Sequence, residues 1–191
     1  LTSGAIINKV SLGNGGVGAP FAYDSDKDGV ADRIYVGDHE GKLWRVNANN
    51  GLWDSAMGET IFVGEGKPIT SRPLAAAVGD RTVILAGTGE YFSFADLTDN
   101  AQNYAYGIFD DGKAVNLTRD NLLNQEILEN TKYSNDETGI SFYSITRNAM
   151  EDDKKGWRLT LPTGYVVTSD SGIYGPNNEV ATYTATKVNE E

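Results

Sequence analysis

Cysteine is absent from the 191 residues, which excludes disulfides, cysteine-ligated iron–sulfur clusters and thiol catalysis. The only histidine, His39, stands in a tight turn with no Ser or Cys placed near it, so it reads as a solvent-exposed turn residue. Long apolar runs are missing as well. The longest, near Leu74–Val78 and Val83–Ala86, are far too short to span a bilayer. Leu1-Thr2-Ser3-Gly4 has neither the basic start nor the apolar run of a signal peptide, and the missing initiator Met suggests a fragment of a longer protein. Positive charge is scarce: 16 Lys and Arg stand against 27 Asp and Glu, a formal net charge of −11. Such a surface is repelled by phosphate backbones and anionic lipid, so neither nucleic acid nor direct membrane insertion is expected. Proline is also rare, five residues against 22 glycines. Together with an apolar fraction of 39% and an aromatic fraction of 10%, this describes a globular chain of many short strands and tight turns.

What the sequence does have is acid in one place. Asp24-Ser25-Asp26-Lys27-Asp28-Gly29-Val30-Ala31-Asp32 crowds four carboxylates into nine residues, and they repel one another unless a cation sits among them. Oxygen-only donors with no His or Cys point to a hard ion, and calcium fits best. In an EF-hand loop the first, third and fifth positions supply side-chain oxygens, the sixth is Gly and the seventh gives a carbonyl. Asp24, Asp26 and Asp28 fill the first three, Gly29 makes the turn and Val30 offers the carbonyl. The twelfth position is Tyr35, which cannot replace the usual bidentate Glu, so Asp32 is expected to close the shell. The expected metal ligands are therefore Asp24, Asp26, Asp28, Val30 and Asp32. Ala19–Tyr23 and Arg33–Val36 on either side read as strands, so this loop holds a hairpin and does not open a helix pair. The alternative is an Asp/Gly-rich turn without metal. Calcium ligation also favours an exterior setting, where free calcium is abundant.

Strand-like segments follow in series: Ala5–Leu12, Pro20–Asp24, Arg33–Gly37, Lys42–Asn47, Thr60–Gly64, Arg72–Val78, Thr82–Gly87, Asn103–Phe109, Ile140–Ile145, Gly156–Leu161, Tyr165–Ser169 and Glu179–Lys187. Turn signals separate them, among them Asp38-His39-Glu40-Gly41, Asn49-Asn50-Gly51, Asp110-Asp111-Gly112 and Pro176-Asn177-Asn178. One stretch differs. Thr118 followed by Arg119–Leu128 reads as a short helix with Thr118 as N-cap and Leu123 and Ile127 on its apolar side. Glu129–Glu137 is expected to be a polar loop, and Glu151-Asp152-Asp153-Lys154-Lys155 a solvated surface run. Gly13–Gly18 satisfies G-x-G-x-x-G, but Pro20 and the aspartate loop follow where a dinucleotide fold needs a helix, so a flexible turn is expected.

The segment Gly41-Lys42-Leu43-Trp44-Arg45-Val46-Asn47, followed by Asn50-Gly51, resembles the repeat of quinoprotein-type β-propellers. The fold class expected is all-β: part of a quinoprotein-like propeller of about three to four blades at roughly 40–45 residues each, with one short helix and a calcium loop between two strands. Trp44, Trp53 and Trp157 are expected to pack between blades.

Ala19-Pro20, the aspartate loop, Arg33-Ile34-Tyr35-Val36-Gly37-Asp38 and Gly41-Lys42-Leu43-Trp44-Arg45-Val46, in this order, resemble the PilC/PilY family of type IV pilus tip-associated adhesins. The likeness continues in Pro68–Pro73, Gly87–Phe92, Tyr106–Asp110 and Gly156-Trp157-Arg158-Leu159. The resemblance implies that residues 1–191 are a single propeller fragment from the carboxy-terminal part of a longer protein, with calcium held by Asp24, Asp26, Asp28, the Val30 carbonyl and Asp32. It implies a calcium-binding, non-enzymatic module at the pilus tip or outer membrane of a Gram-negative bacterium. Its expected partners are minor pilins or other tip components and a host or abiotic surface. Its expected role is to bias pilus extension against retraction and to support attachment and twitching. The rival readings are a pyrroloquinoline quinone-dependent dehydrogenase propeller, which the repeat also allows, and a generic extracellular scaffold stapled by calcium.

Overall fold

The computed structural model describes residues 9–13, 15–49, 52–98, 100–113, 115–135, 137–138, 140–176 and 180–188. Its strands are Phe21–Tyr23 (β1), Arg33–Gly37 (β2), Lys42–Asn49 (β3), Leu52–Val63 (β4), Leu74–Val78 (β5), Arg81–Gly87 (β6), Tyr104–Asp110 (β7), Leu123–Gln125 (β8), Ile127–Asn135 (β9), Ile140–Ile145 (β10), Gly156–Thr160 (β11), Tyr165–Val166 (β12), Gly172–Tyr174 (β13), Val180–Thr182 (β14) and Thr186–Lys187 (β15). Two sheets dominate. The first is an antiparallel meander in the order β1-β2-β3-β4, and the second has the order β5-β6-β7-β11-β8. Two-stranded ladders β9–β10, β12–β15 and β13–β14 complete the described part.

The second sheet is a meander like the first with an excursion in it. β11 pairs antiparallel with β7 from Gly156↔Ile108 to Thr160↔Tyr104, as a fourth meander strand should. Residues 111–155 leave between these two strands and carry β8, which adds to β11 in parallel, and the β9–β10 hairpin. The excursion begins by lying against the first sheet: the Leu117 N–H donates to the Ile61 carbonyl at 3.0 Å, and the Val63 N–H to the Leu117 carbonyl at 2.7 Å.

The core lies between the meanders, because each sheet turns one alternating face towards the other. Tyr35, Leu43, Ile61 and Phe62 from the first meet Ile84, Tyr106 and Ile108 from the second, all essentially buried. The Phe62 and Tyr106 rings approach to 4.8 Å between centroids. A smaller cluster of Ala105, Leu159, Leu161 and Val167 joins the second meander to the carboxy-terminal ladders. A salt bridge adds a polar tie. Arg158 from β11 donates from one guanidinium nitrogen to both Glu65 oxygens at 2.9 Å, just beyond β4, and its guanidinium lies over the Tyr104 ring.

The strands expected from alternation are largely present, with these corrections. The expected helix over 119–128 is a single 3-10 turn, Arg119–Asn121, followed by β8 and the start of β9. Leu123 and Ile127 lie four apart, a spacing that fits one helix face and one strand face equally. Half-burial of Leu123, Gln125 and Ile127 against exposure of Asn124, Glu126 and Leu128 shows the two-residue period. An isolated ten-residue helix is marginal, and the free edge of β11 offered ladder bonds instead. The Thr118 signal is local: its N–H donates to Asn121 Oδ1 at 2.9 Å, and the turn ends there. The expected loop over Glu129–Glu137 is strand as far as Asn135, because β10 supplies a partner, with Tyr133 opposite Phe142.

Two four-stranded meanders stand among the described residues, the second carrying residues 111–155 as an excursion. Finally, Lys9–Leu12 lies in no strand, since pairing starts only at Val17 opposite Asp38. Glu179–Lys187 is split into β14 and β15. Residues 5–8, Asn50-Gly51, Asn177-Asn178 and Glu179 lie outside the described residues.

Trp157 explains one glycine. It faces Gly107 across the β7–β11 ladder, and a Cβ at Gly107 would sit 2.1 Å from the indole. Gly107→Ala is therefore expected to lower stability by about 1–3 kcal/mol through overpacking, read as a shift of the urea midpoint. An unchanged midpoint would reject this packing.

Candidate metal centre

The β1–β2 hairpin positions the acidic loop. The strands pair as Phe21↔Tyr35, Ala22↔Ile34 and Tyr23↔Arg33, and the Asp32 N–H donates to the Tyr23 carbonyl at 3.0 Å, closing the loop's base. The Asp32 carbonyl in turn accepts from the Ala48 N–H of β3 at 2.8 Å. Both ends of the loop are thus fixed by the first sheet, and only its tip projects.

Inside the loop the aspartates organise the backbone. Asp24 Oδ1 accepts from the Lys27 N–H at 2.6 Å and the Asp28 N–H at 3.2 Å, while Oδ2 accepts from the Gly29 N–H at 2.8 Å. Asp26 Oδ1 accepts from the Asp28 N–H at 3.2 Å, and Asp28 Oδ1 from the Val30 N–H at 2.8 Å. The curl needs two left-handed residues, Gly29 at φ 92° and, less comfortably, Lys27 at φ 64°. Desolvation pushes the Asp24 carboxyl upward, but the Gly29, Lys27 and Asp28 N–H groups outweigh it and hold its pKa below the usual value. Asp24 is therefore an anion oriented by the main chain.

The result is convergence. Asp24, Asp26 and Asp28 each offer an oxygen, and the three lie within 4.8 Å of one another. Asp32 is placed differently: Oδ1 accepts from the Ser25 N–H at 3.0 Å and Oδ2 from the Ser25 hydroxyl at 2.6 Å. Val30 has an exposed side chain, with its N–H committed to Asp28. The donor set fits a hard, oxygen-seeking divalent cation, since three carboxylates converge at an exposed tip with no softer donor among them. Ser25 was not a sequence candidate. A serine between two aspartates carries no signal of its own, and only the fold shows that it holds Asp32.

The remaining singled-out residues serve the scaffold. Asp38 is buried and organises the turn before β3: Oδ1 accepts from the Glu40 and Lys42 N–H groups at 2.9 and 2.8 Å, and Oδ2 from the Trp44 indole N–H at 2.7 Å. This is the physical content of the Gly-Asp…Gly-x-Leu-Trp pattern. His39 is exposed in its turn, as expected, with Nδ1 3.6 Å from Glu90 Oε2.

One polar cluster escaped the sequence reading. At the end of β7 the Asp110 carboxylate is buried between the meanders. Its Oδ1 takes the Arg45 guanidinium and, at 2.8 Å, the Gly112 N–H; its Oδ2 takes the Tyr35 hydroxyl at 2.7 Å and faces Arg33 at 3.8 Å. Burial first, then the Asp110 charge and hydrogen bond, push the Tyr35 pKa far up, so Tyr35 is a phenol that donates. Arg45 also reaches Glu59 on β4. Leu43 and Arg45 share one face of β3, both buried, so an arginine in register with a core leucine was the available signal.

Comparison with known proteins matches this architecture. Residues 1–144 match the family described as the PilY1 beta-propeller domain. A type IV pilus biogenesis factor PilY1 homolog of Xylella fastidiosa is 30% identical over 168 residues, covering 79% of this chain and 11% of that protein. The type IV pilus biogenesis factor PilY1 of Pseudomonas aeruginosa is 30% identical over 169 residues, covering 66% of this chain and 14% of its own length. The crystal structure of the P. aeruginosa PilY1 C-terminal domain superposes with a TM-score of 0.77 at 22% identity, covering 97% of this chain and 48% of that one. The chain thus matches only a small part of those relatives' length and about half of the solved domain. The two meanders are blades of an all-β propeller, and the chain belongs to the PilY1 β-propeller family, whose named members are type IV pilus biogenesis factors.

Proposed function

We propose that this domain is a calcium-binding propeller module of a type IV pilus biogenesis factor, displayed at the pilus tip or outer membrane. There it would contact minor pilins or other tip components, and a host or abiotic surface. One observation carries the metal reading: Asp24, Asp26 and Asp28 converge within 4.8 Å at a hairpin tip whose backbone is already curled around them. Asp24, Asp26, Asp28 and the Val30 carbonyl would hold the ion, and Asp32 would join them by giving up its Ser25 hydrogen bonds. Bound calcium would neutralise the crowded carboxylates and order the tip. At free calcium of about 1 mM and a dissociation constant of about 10 µM, binding would add roughly 2.7 kcal/mol to stability, enough to govern whether the tip is ordered. In the pilus, that order would bias extension against retraction and so affect attachment and twitching. The relatives are named as pilus biogenesis factors, which favours this role over quinone-dependent oxidation.

Calcium is expected to raise the melting temperature by roughly 5–10 °C for a chain of this size, and Asp28→Ala to abolish the shift. A calcium-insensitive melting curve in the parent protein rejects the metal assignment. In the bacterium, Asp28→Ala in the full-length protein is expected to alter twitching or piliation. Normal pili and motility with a loop shown to be metal-free would reject the regulatory role while leaving a structural staple.

A further inference from the structure

Arg33 is the residue after Asp32, so a guanidinium hangs at the base of the loop where cations are to be bound. An unrestrained arginine there would pair with the loop carboxylates and compete with a metal ion for them. In the fold it goes elsewhere. Its Nη1 lies 3.8 Å from Asp110 Oδ2, and its side chain is partly buried, 24% exposed. Arg33 thus links the base of the loop to a carboxylate at the end of β7. Asp32 meanwhile keeps both oxygens on Ser25.

Asp110 is held rigidly enough to win this competition. The Tyr35 hydroxyl, the Arg45 guanidinium and the Gly112 N–H fix its carboxylate, and its side chain is 1% exposed. We propose that Asp110, from the second blade, is a positioning residue that draws the Arg33 guanidinium away from the Asp24–Asp32 loop and so sets the loop's calcium affinity. The proposal rests on the calcium reading above. It makes cation binding at the tip sensitive to how the two blades dock, since Arg33 belongs to one and Asp110 to the other.

A double-mutant cycle read by calcium titration of the purified chain tests it. Asp110→Asn is expected to weaken calcium binding about tenfold, by releasing Arg33 to the loop, and to have an effect of about twofold or less in the Arg33→Gln background. Equal fold-changes in both backgrounds would mean that Asp110 acts only as a distant charge, and would overturn the proposal. If the parent and Arg33→Gln both fail to bind calcium, the metal reading falls and this inference with it. A parent that binds calcium while the cycle is additive leaves the metal reading intact. Because Asp110→Asn leaves Arg45 with one fewer partner and can unfold the chain, nitrogen-15 NMR of the parent's Arg33 guanidinium supplies a second readout. Restricted rotation of its terminal nitrogens, with and without calcium, supports the proposal. Free rotation without calcium would overturn it.

Discussion

The contact on which the rest depends is the buried carboxylate of Asp110. Taking a carboxylate and a guanidinium out of water costs several kcal/mol per ion in round figures, and the attraction between them repays this only where the remaining lone pairs are satisfied. Asp110 meets that condition with Arg45 and the Gly112 N–H on one oxygen and the Tyr35 hydroxyl on the other. Such a pair adds little net stability over well-packed apolar residues, although removing one member alone costs about 3–5 kcal/mol. Its contribution here is orientation. Two apolar sheet faces can slide over one another with small changes in buried area, whereas a carboxylate that needs Tyr35 from β2 and Arg45 from β3 fixes where β7 sits against the first blade.

That fixed point explains how the second blade carries residues 111–155 without losing its form. The excursion starts immediately after Asp110, and its Gly112 N–H completes the Asp110 shell. It then adds to the edge of β4 through Asn116 and Leu117. Arg119 beside it and Arg158 on the returning strand both reach Glu65, at 2.9 Å. The departing and returning chain are thereby tied to one carboxylate of the first blade. β11 can then pair with β7 along its whole length despite the sequence distance, because the closure entropy of a long loop grows only slowly with its length.

Most of this architecture was legible in the sequence where one signal had one meaning. Alternation placed β2 and β10 at the residues observed, and the aspartate spacing identified the loop whose oxygens converge. It failed where two structures share one signal. Leu123 and Ile127 satisfy a helical and a strand period alike, and the choice lay with β11, far along the chain, which no local reading contains. The site shows the same division. Asp24, Asp26 and Asp28 meet because their spacing and a left-handed Gly29 bring them together locally. The pairing of Asp32 with Ser25 appears only once the hairpin has closed the loop, and the placement of Arg33 depends on Asp110, whose approach is set by packing between blades. Tyr35, at the twelfth loop position where it cannot act as a ligand, turns its hydroxyl the other way, to buried Asp110.

The same geometry limits what a cation at the tip can do. The Asp32 backbone is bonded to Tyr23 on one side and Ala48 on the other, so β1 and β2 cannot be levered apart as a pair of helices can. What stays adjustable is side chains: Asp32 and Ser25 at the loop's base, and Arg33 beside Asp110. On the proposed calcium reading, an ion held by the aspartates would remove negative charge near Arg33 while the Asp110 charge stayed in place. Its influence on the blade interface would then be electrostatic, carried by one guanidinium, and would need no movement of either sheet. A staple and a switch would not be alternatives, because the charge that ordered the tip would also act on Arg33.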